Sequence, residues 1–119
     1  IASENCPIFF SYNMSLGISL ITELAVMAKK ILGDGFDIEI IEKHHNKKID
    51  SPSGTAKTLC NILDIPYEKA TSHRLGSMFG QHKIYFALED EVLEITHTAY
   101  SKKIFAMGAI EAGKKMAGI

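Results

Sequence analysis

Glu39-Ile40-Ile41-Glu42-Lys43-His44-His45-Asn46-Lys47-Lys48-Ile49-Asp50-Ser51-Pro52-Ser53-Gly54-Thr55-Ala56 changes character twice along its length. Residues 36–43 are rich in isoleucine and carry alternating acids at Asp37 and Glu39, which predicts a strand that delivers His44 and His45 at its end. A polar turn follows. Asp50-Ser51-Pro52-Ser53-Gly54-Thr55 has the composition of a loop ending in a helix cap, and the helix continues over 56–63 until it closes before Pro66.

Upstream, residues 7–11 form a short apolar run that reads as a strand end, with Tyr12-Asn13-Met14 as a loop. Ser15 is placed to cap a helix in which Leu16, Leu20, Leu24, Met27 and Ile31 recur at steps of three and four, expected to be one apolar face. Gly33-Asp34-Gly35 stops that helix. Downstream, 67–80 shows polar residues and glycines without a period and reads as a loop containing His73 and Arg74. Residues 82–88 and 92–98 alternate, and the link Glu89-Asp90-Glu91 makes them an antiparallel hairpin. Ser101 then caps a last helix carrying Ile104, Phe105, Met107, Gly108, Ile110 and Met116. The order predicts an α+β fold, an open mixed β-sheet with helices on one face. Its other face, with residues such as Tyr85 and Val92, is expected to meet another subunit or domain.

A chain of 119 residues with 46% hydrophobic content suffices for one packed domain and is too apolar for a disordered segment. Its formal charge of -1 gives no long-range field for nucleic acid or an anionic membrane, so any anion site must be local. Cys6 and Cys60 stand far apart, which argues for free thiols in a reducing compartment, the cytoplasm by default. No apolar run approaches the roughly 20 residues that span a bilayer, and no signal-peptide pattern is present. The start at Ile1 suggests a piece of a longer protein.

Between positions 44 and 55, two histidines, two lysines and a capped helix start converge. Histidine exchanges protons near neutrality, and lysine supplies a persistent cation. Ser53, Gly54 and Thr55 offer hydroxyls and free backbone N–H groups at a helix N-terminus, which suits a small carboxylate or phosphate. Taken singly, adjacent histidines after a strand are surface decoration and Ser-Gly-Thr is an ordinary cap; only their concentration favours a site. Three other motifs fail. A phosphate loop needs Lys directly after its second Gly and another Gly five positions before it, yet Thr55 and Ile49 stand there. His44, His45, His73, His82 and His97 show no zinc-ligand spacing, so no metal is expected. Gly33-Asp34-Gly35 lacks the third Gly of a dinucleotide turn and precedes a strand.

The opening string resembles, position for position, the signature of dihydrodipicolinate reductases, E-[IV]-x-E-x-H-x-x-x-K-x-D-x-P-S-G-T-A. Asn13 and Ser15 resemble the family's hinge motif, Arg74, Gly76, Gly80 and His82 its Arg-Gly-Gly and Gly-x-His elements, and residues 94–97, Ser101 and 105–109 its remaining part. The resemblance implies a reductase of lysine and diaminopimelate synthesis that acts on a cyclic dicarboxylate with hydride from NADH or NADPH. It implies that His44 and Lys48 are catalytic proton donors, and that His45, Ser53, Gly54, Thr55 and Lys102 contact substrate carboxylates. Ser11, Tyr12, Asn13 and Met14 fall on the hinge beside the nicotinamide. The implied organisation is a hinge and the end of a nucleotide-binding domain over 1–14, a substrate-binding and assembly domain over 15–119, and a homotetramer.

Two positions depart from the pattern: Met14 where the family usually has Phe, and Lys102 where many members have Arg, which turns a bidentate clamp into a point charge. No G-x-G-x-x-G segment is present, so the main nucleotide site is expected elsewhere. Two alternatives follow from the residues alone. A non-catalytic dicarboxylate- or phosphate-binding module would use only the Ser53-Gly54-Thr55 helix start, and a purely structural oligomerisation module would tolerate substitution throughout 44–55.

Overall fold

The computed structural model describes residues 15–101. The segment before Ser15 and the helix expected after Ser101 lie outside them. Helix α1 spans Leu16–Leu32 and α2 spans Gly54–Leu63; strands β1 (Asp37–His44), β2 (Ala70–Arg74), β3 (Gly80–Ala87) and β4 (Val92–Ala99) form one sheet. A short 3-10 turn at Tyr67–Lys69 precedes β2.

The helix boundaries follow local chemistry. Ser15 turns its hydroxyl to accept the Ile18 N–H at 3.1 Å, and Gly33, at φ +82°, ends α1 in a conformation that a side chain disfavours. Ser53 does the same for α2 by accepting the Ala56 N–H at 3.2 Å, so that helix begins two residues before the expected start. Lys29 and Lys30 lie in the last turn of α1, where the helix dipole favours cations, and the Lys29 ammonium donates to the Leu63 carbonyl.

The strand order is β2-β1-β3-β4, with β1 and β2 parallel and the other pairs antiparallel. The sheet is therefore mixed and open, as expected. Register puts Ile38 opposite Phe86 and Ile40 opposite Ile84 on the face that the helices cover. There they pack with Ile18, Ile21 and Ala25 of α1 and Leu59, Cys60 and Leu63 of α2. Each large apolar side chain so buried contributes about 1.5 to 3 kcal/mol. The other face carries Ile41, Lys83, Tyr85, Glu94 and an exposed Val92, and no element covers it among the described residues.

Two expectations are corrected. The stretch 67–80 is not all loop: Ala70–Arg74 is an edge strand, too short and too polar to show a period, and it forms because β1 offers it a parallel ladder. The buried side of α1 is Ile18, Ile21, Thr22 and Ala25, whereas Leu20, Leu24, Met27 and Ile31 are exposed at 58%, 39%, 55% and 75%. Both stripes have helical spacing. On the side that faces the sheet, Thr22 Oγ1 donates to the Ile18 carbonyl at 2.8 Å and needs no outside partner.

Candidate active site

Strand parity assembles the site. In β1 the residues facing the helices are Ile38, Ile40, Glu42 and His44, so the core changes from hydrocarbon to charge within one strand. Register carries the change across the sheet: Glu42 stands opposite Ser72 of β2 and His82 of β3, and His82 stands opposite His97 of β4. Both helices begin over this polar end. The Ser53 hydroxyl lies 3.0 Å from His82 Nε2, and the Ser15 hydroxyl lies 3.5 Å from His97 Nε2. The cap of each helix is thereby tied to one imidazole of the sheet.

Glu42 is the centre of the cluster and has no exposed surface. Arg74 grips it with two parallel bonds, Nη1 to Oε1 and Nη2 to Oε2, each 2.9 Å. Arg74 also donates to the Asp50 carbonyl at 2.7 Å and the His73 carbonyl at 2.8 Å, which pins the loop after β1 to the end of β2. The Ser53 N–H donates to Glu42 Oε2 at 3.0 Å, and His44 Nδ1 lies 2.5 Å from Oε1. Burial alone would raise the Glu42 pKa, but Arg74 first, then Ser72, His44 and the Ser53 N–H outweigh it and hold the pKa at about 2. The Ser72 hydroxyl faces the same carboxylate too loosely to count as a hydrogen bond.

The histidines are tuned toward neutrality. Burial pushes His82 down to about 4, with His44 as the next contributor. Burial also lowers His44; the bond to Glu42 opposes this, and the cations of Lys48 and Arg74 add to it. The His44 and His82 rings meet edge to face with centroids 5.2 Å apart. Burial lowers His97 as well. Two glycines make room for these rings. A Cβ on Gly17 would sit 2.4 Å from His97 Cδ2, and one on Gly80 would sit 3.2 Å from His44 Nε2.

The loop from β1 to α2 supplies the rest. Lys48 Nζ lies 3.1 Å from an exposed carboxylate oxygen of Asp50, whose pKa it lowers. His45 Nδ1 accepts the Lys47 N–H at 3.3 Å. At the start of α2, Ser53 Oγ takes the Ala56 N–H and the Ser53 carbonyl takes the Lys57 N–H, so among the described residues the Gly54 and Thr55 N–H groups have no acceptor. This is the carboxyl end of β1 in a β1-α2-β2 unit, the place where parallel strands and a helix N-terminus present donors to an anion. Among the described residues no three His, Cys, Asp or Glu side chains are grouped to hold a metal ion. An open hollow of about 230 Å³ lined by Lys29, Asp34, Phe36 and Lys69 is remote from this chemistry, near the start of β1.

The family described as "Dihydrodipicolinate reductase, C-terminus" matches residues 17–119. The chain belongs to this family. A 4-hydroxy-tetrahydrodipicolinate reductase of Exiguobacterium sibiricum is 43% identical over 97% of this chain and 54% of its own length. The enzyme of the same name from Staphylococcus aureus strain JH9 is 40% identical over 96% of this chain and 55% of its own. The chain therefore spans about half the length of the curated relatives it matches. A solved structure, dipicolinate-bound dihydrodipicolinate reductase from Paenisporosarcina sp. TG-14, has a TM-score of 0.76 at 24% identity over 90% of this chain and 48% of that one, a likeness of fold.

In this chain, His44, His45, Lys48, Ser53, Gly54 and Thr55 occupy the end of β1, the loop after it and the start of α2. Lys102 and Ser11, Tyr12, Asn13 and Met14 lie outside the described residues. Reading the sequence missed Glu42 as the partner of His44, although residues two apart on a strand share a face. It also missed the role of Arg74, because β2 was not recognised. His82 had a usable signal, the alternation of His82, Ile84 and Phe86.

Proposed function

We propose that this chain is the substrate-binding half of a 4-hydroxy-tetrahydrodipicolinate reductase, which reduces a cyclic dicarboxylate at the expense of NADH or NADPH. The observation that carries this reading is the bridge made by one carboxylate, Glu42 Oε1 to His44 and Oε2 to the Ser53 N–H, which sets an imidazole beside the unfilled donors of α2. One substrate carboxylate is received by the Gly54 and Thr55 N–H groups, with Lys48, His45 and Lys102 as further cationic or donor contacts. His44 and Lys48 supply the proton to the reduced ring, and general acid catalysis of this kind contributes about 10² to 10⁴ in rate.

The described residues do not fit the nucleotide itself. The turn from β1 to α2 contains no glycine before Gly54, and the Glu42 carboxylate takes the Ser53 N–H that a pyrophosphate would need. The nucleotide is read as bound elsewhere, with 1–14 as the end of a nucleotide-binding domain and hinge, and 15–119 as the substrate and assembly domain. The open sheet face is read as the surface that builds a homotetramer, and the enzyme as cytoplasmic. No nucleic acid or membrane partner enters the reading, and no described helix is long and apolar enough to cross a membrane.

The test is calorimetric titration of the chain with pyridine-2,6-dicarboxylate, a planar dicarboxylate. Binding is expected, weakened about tenfold or more in Lys48→Ala, as befits a lost charge-assisted bond of roughly 1.5 to 3 kcal/mol. Failure to bind at any concentration, or binding indifferent to Lys48, overturns the reading.

A further inference from the structure

We propose that Glu42 is the positioning residue of the site, fixing the tautomer of His44 and holding that imidazole and the anion-binding start of α2 in one rigid frame. The proposal rests on the dicarboxylate-reductase reading for its substrate, but its geometry stands without one. Glu42 has four hydrogen-bonding contacts: two from Arg74 at 2.9 Å each, one from the Ser53 N–H at 3.0 Å, and the 2.5 Å contact to His44 Nδ1. A carboxylate gripped by a bidentate guanidinium stays ionised and accepts only. The proton between Glu42 and His44 therefore resides on Nδ1.

Two consequences follow for His44. When neutral, its lone pair is at Nε2, the nitrogen that faces Gly80, where the absence of a side chain leaves that atom uncrowded. When charged, it donates from Nε2. The ring's swing is limited on one side by the Glu42 contact and on another by the edge of His82. Arg74 matters here as well, because it balances the Glu42 charge; an unbalanced carboxylate at 2.5 Å would trap His44 as imidazolium and make it a reluctant donor. The groups that face His44 are thus Glu42 on its own strand, Arg74 on β2, His82 on β3 and Lys48 on the loop.

If Glu42 were only a structural anchor, Arg74 alone would satisfy it. The other two contacts, one to the imidazole and one to the helix cap, distinguish positioning from anchoring. The readout is long-range proton–nitrogen NMR of the imidazole nitrogens in the chain without ligand. In the wild-type chain above the His44 pKa, Nδ1 is expected to resonate as a protonated nitrogen and Nε2 as a lone-pair nitrogen; the reverse pattern, or an averaged one, overturns the proposal. In Glu42→Leu/Arg74→Met, which removes both charges so that neither is left buried alone, His44 is expected to collapse to an averaged tautomer signal while amide spectra report an intact fold. A folded double variant that keeps the pure Nδ1–H form also overturns it. The wild-type spectrum decides the matter even where the variant fails to fold. Because this readout involves no ligand, its failure is distinct from failure of pyridine-2,6-dicarboxylate binding, which bears on the substrate reading instead.

Discussion

Replacing Arg74 by Met should expose how much the buried carboxylate depends on one partner. Met keeps similar length and removes all five donors, so Glu42 loses two bonds of 2.9 Å while retaining the Ser53 N–H and His44 Nδ1. Removing one member of a buried ion pair costs about 3 to 5 kcal/mol. The fall of the Glu42 pKa from its ordinary 4.5 to about 2, a net result of burial and all its partners together, corresponds to about 3 kcal/mol of preference for the ionised form. Against a typical domain stability of roughly 5 to 15 kcal/mol, that is a large fraction. The pH dependence has a definite sign. The Glu42 pKa is depressed in the folded state, so the unfolded state binds more protons between about 2 and 4.5; the contribution is complete above 4.5 and lost as pH falls toward 2. In Arg74→Met the folded-state Glu42 pKa rises toward 4.5, so this acid-side loss should shrink. Denaturant unfolding of the wild type, Arg74→Met, Glu42→Leu and the double variant completes a cycle in which the two single costs are expected not to add, with a coupling of about 3 kcal/mol. Additive costs, or a loss below about 1 kcal/mol in Arg74→Met, would refute the idea that Glu42 is ionised and dependent on Arg74.

His82 is buried with a pKa of about 4, so the unfolded chain takes up a proton between 6.5 and 4 that the folded chain refuses, and stability should drop by about 3 kcal/mol as pH falls through that window. In His82→Gln that share of the drop should vanish; equal slopes for both proteins in denaturant unfolding would count against it. Gly17→Ala places a methyl 2.4 Å from the His97 ring and should cost about 1 to 3 kcal/mol despite the better helix propensity of Ala. Thermal unfolding should show the cost relieved in Gly17→Ala/His97→Ala, and an unrelieved double variant would place the strain elsewhere.

The site was partly legible because its parts are local. The string from Glu39 to Ala56 contains the strand end, the loop cations and the cap, and each follows from residue type and spacing over a few positions. The Arg74–Glu42 pair spans 32 positions, and the Ser53–His82 and Ser15–His97 contacts span 29 and 82. No period in the sequence announces such pairs, since they exist only after the ladder has brought the strands into register.

By itself, the sequence determined the cap at Ser15, the stop at Gly33, the strands β1, β3 and β4, the mixed open sheet and the family. These depend on hydrogen bonds within a turn or alternation along a strand, both short-range. Tertiary structure decided which stripe of α1 is buried, because that helix is apolar nearly all round and only the sheet could choose Ile18, Ile21 and Ala25 over Leu20, Met27 and Ile31. It also made 70–74 a strand, since a short polar segment pairs only when a neighbour offers the ladder. And it turned Glu42 from one acid among several into the group that holds His44, because the low dielectric of a covered sheet face admits a charge only together with its partners.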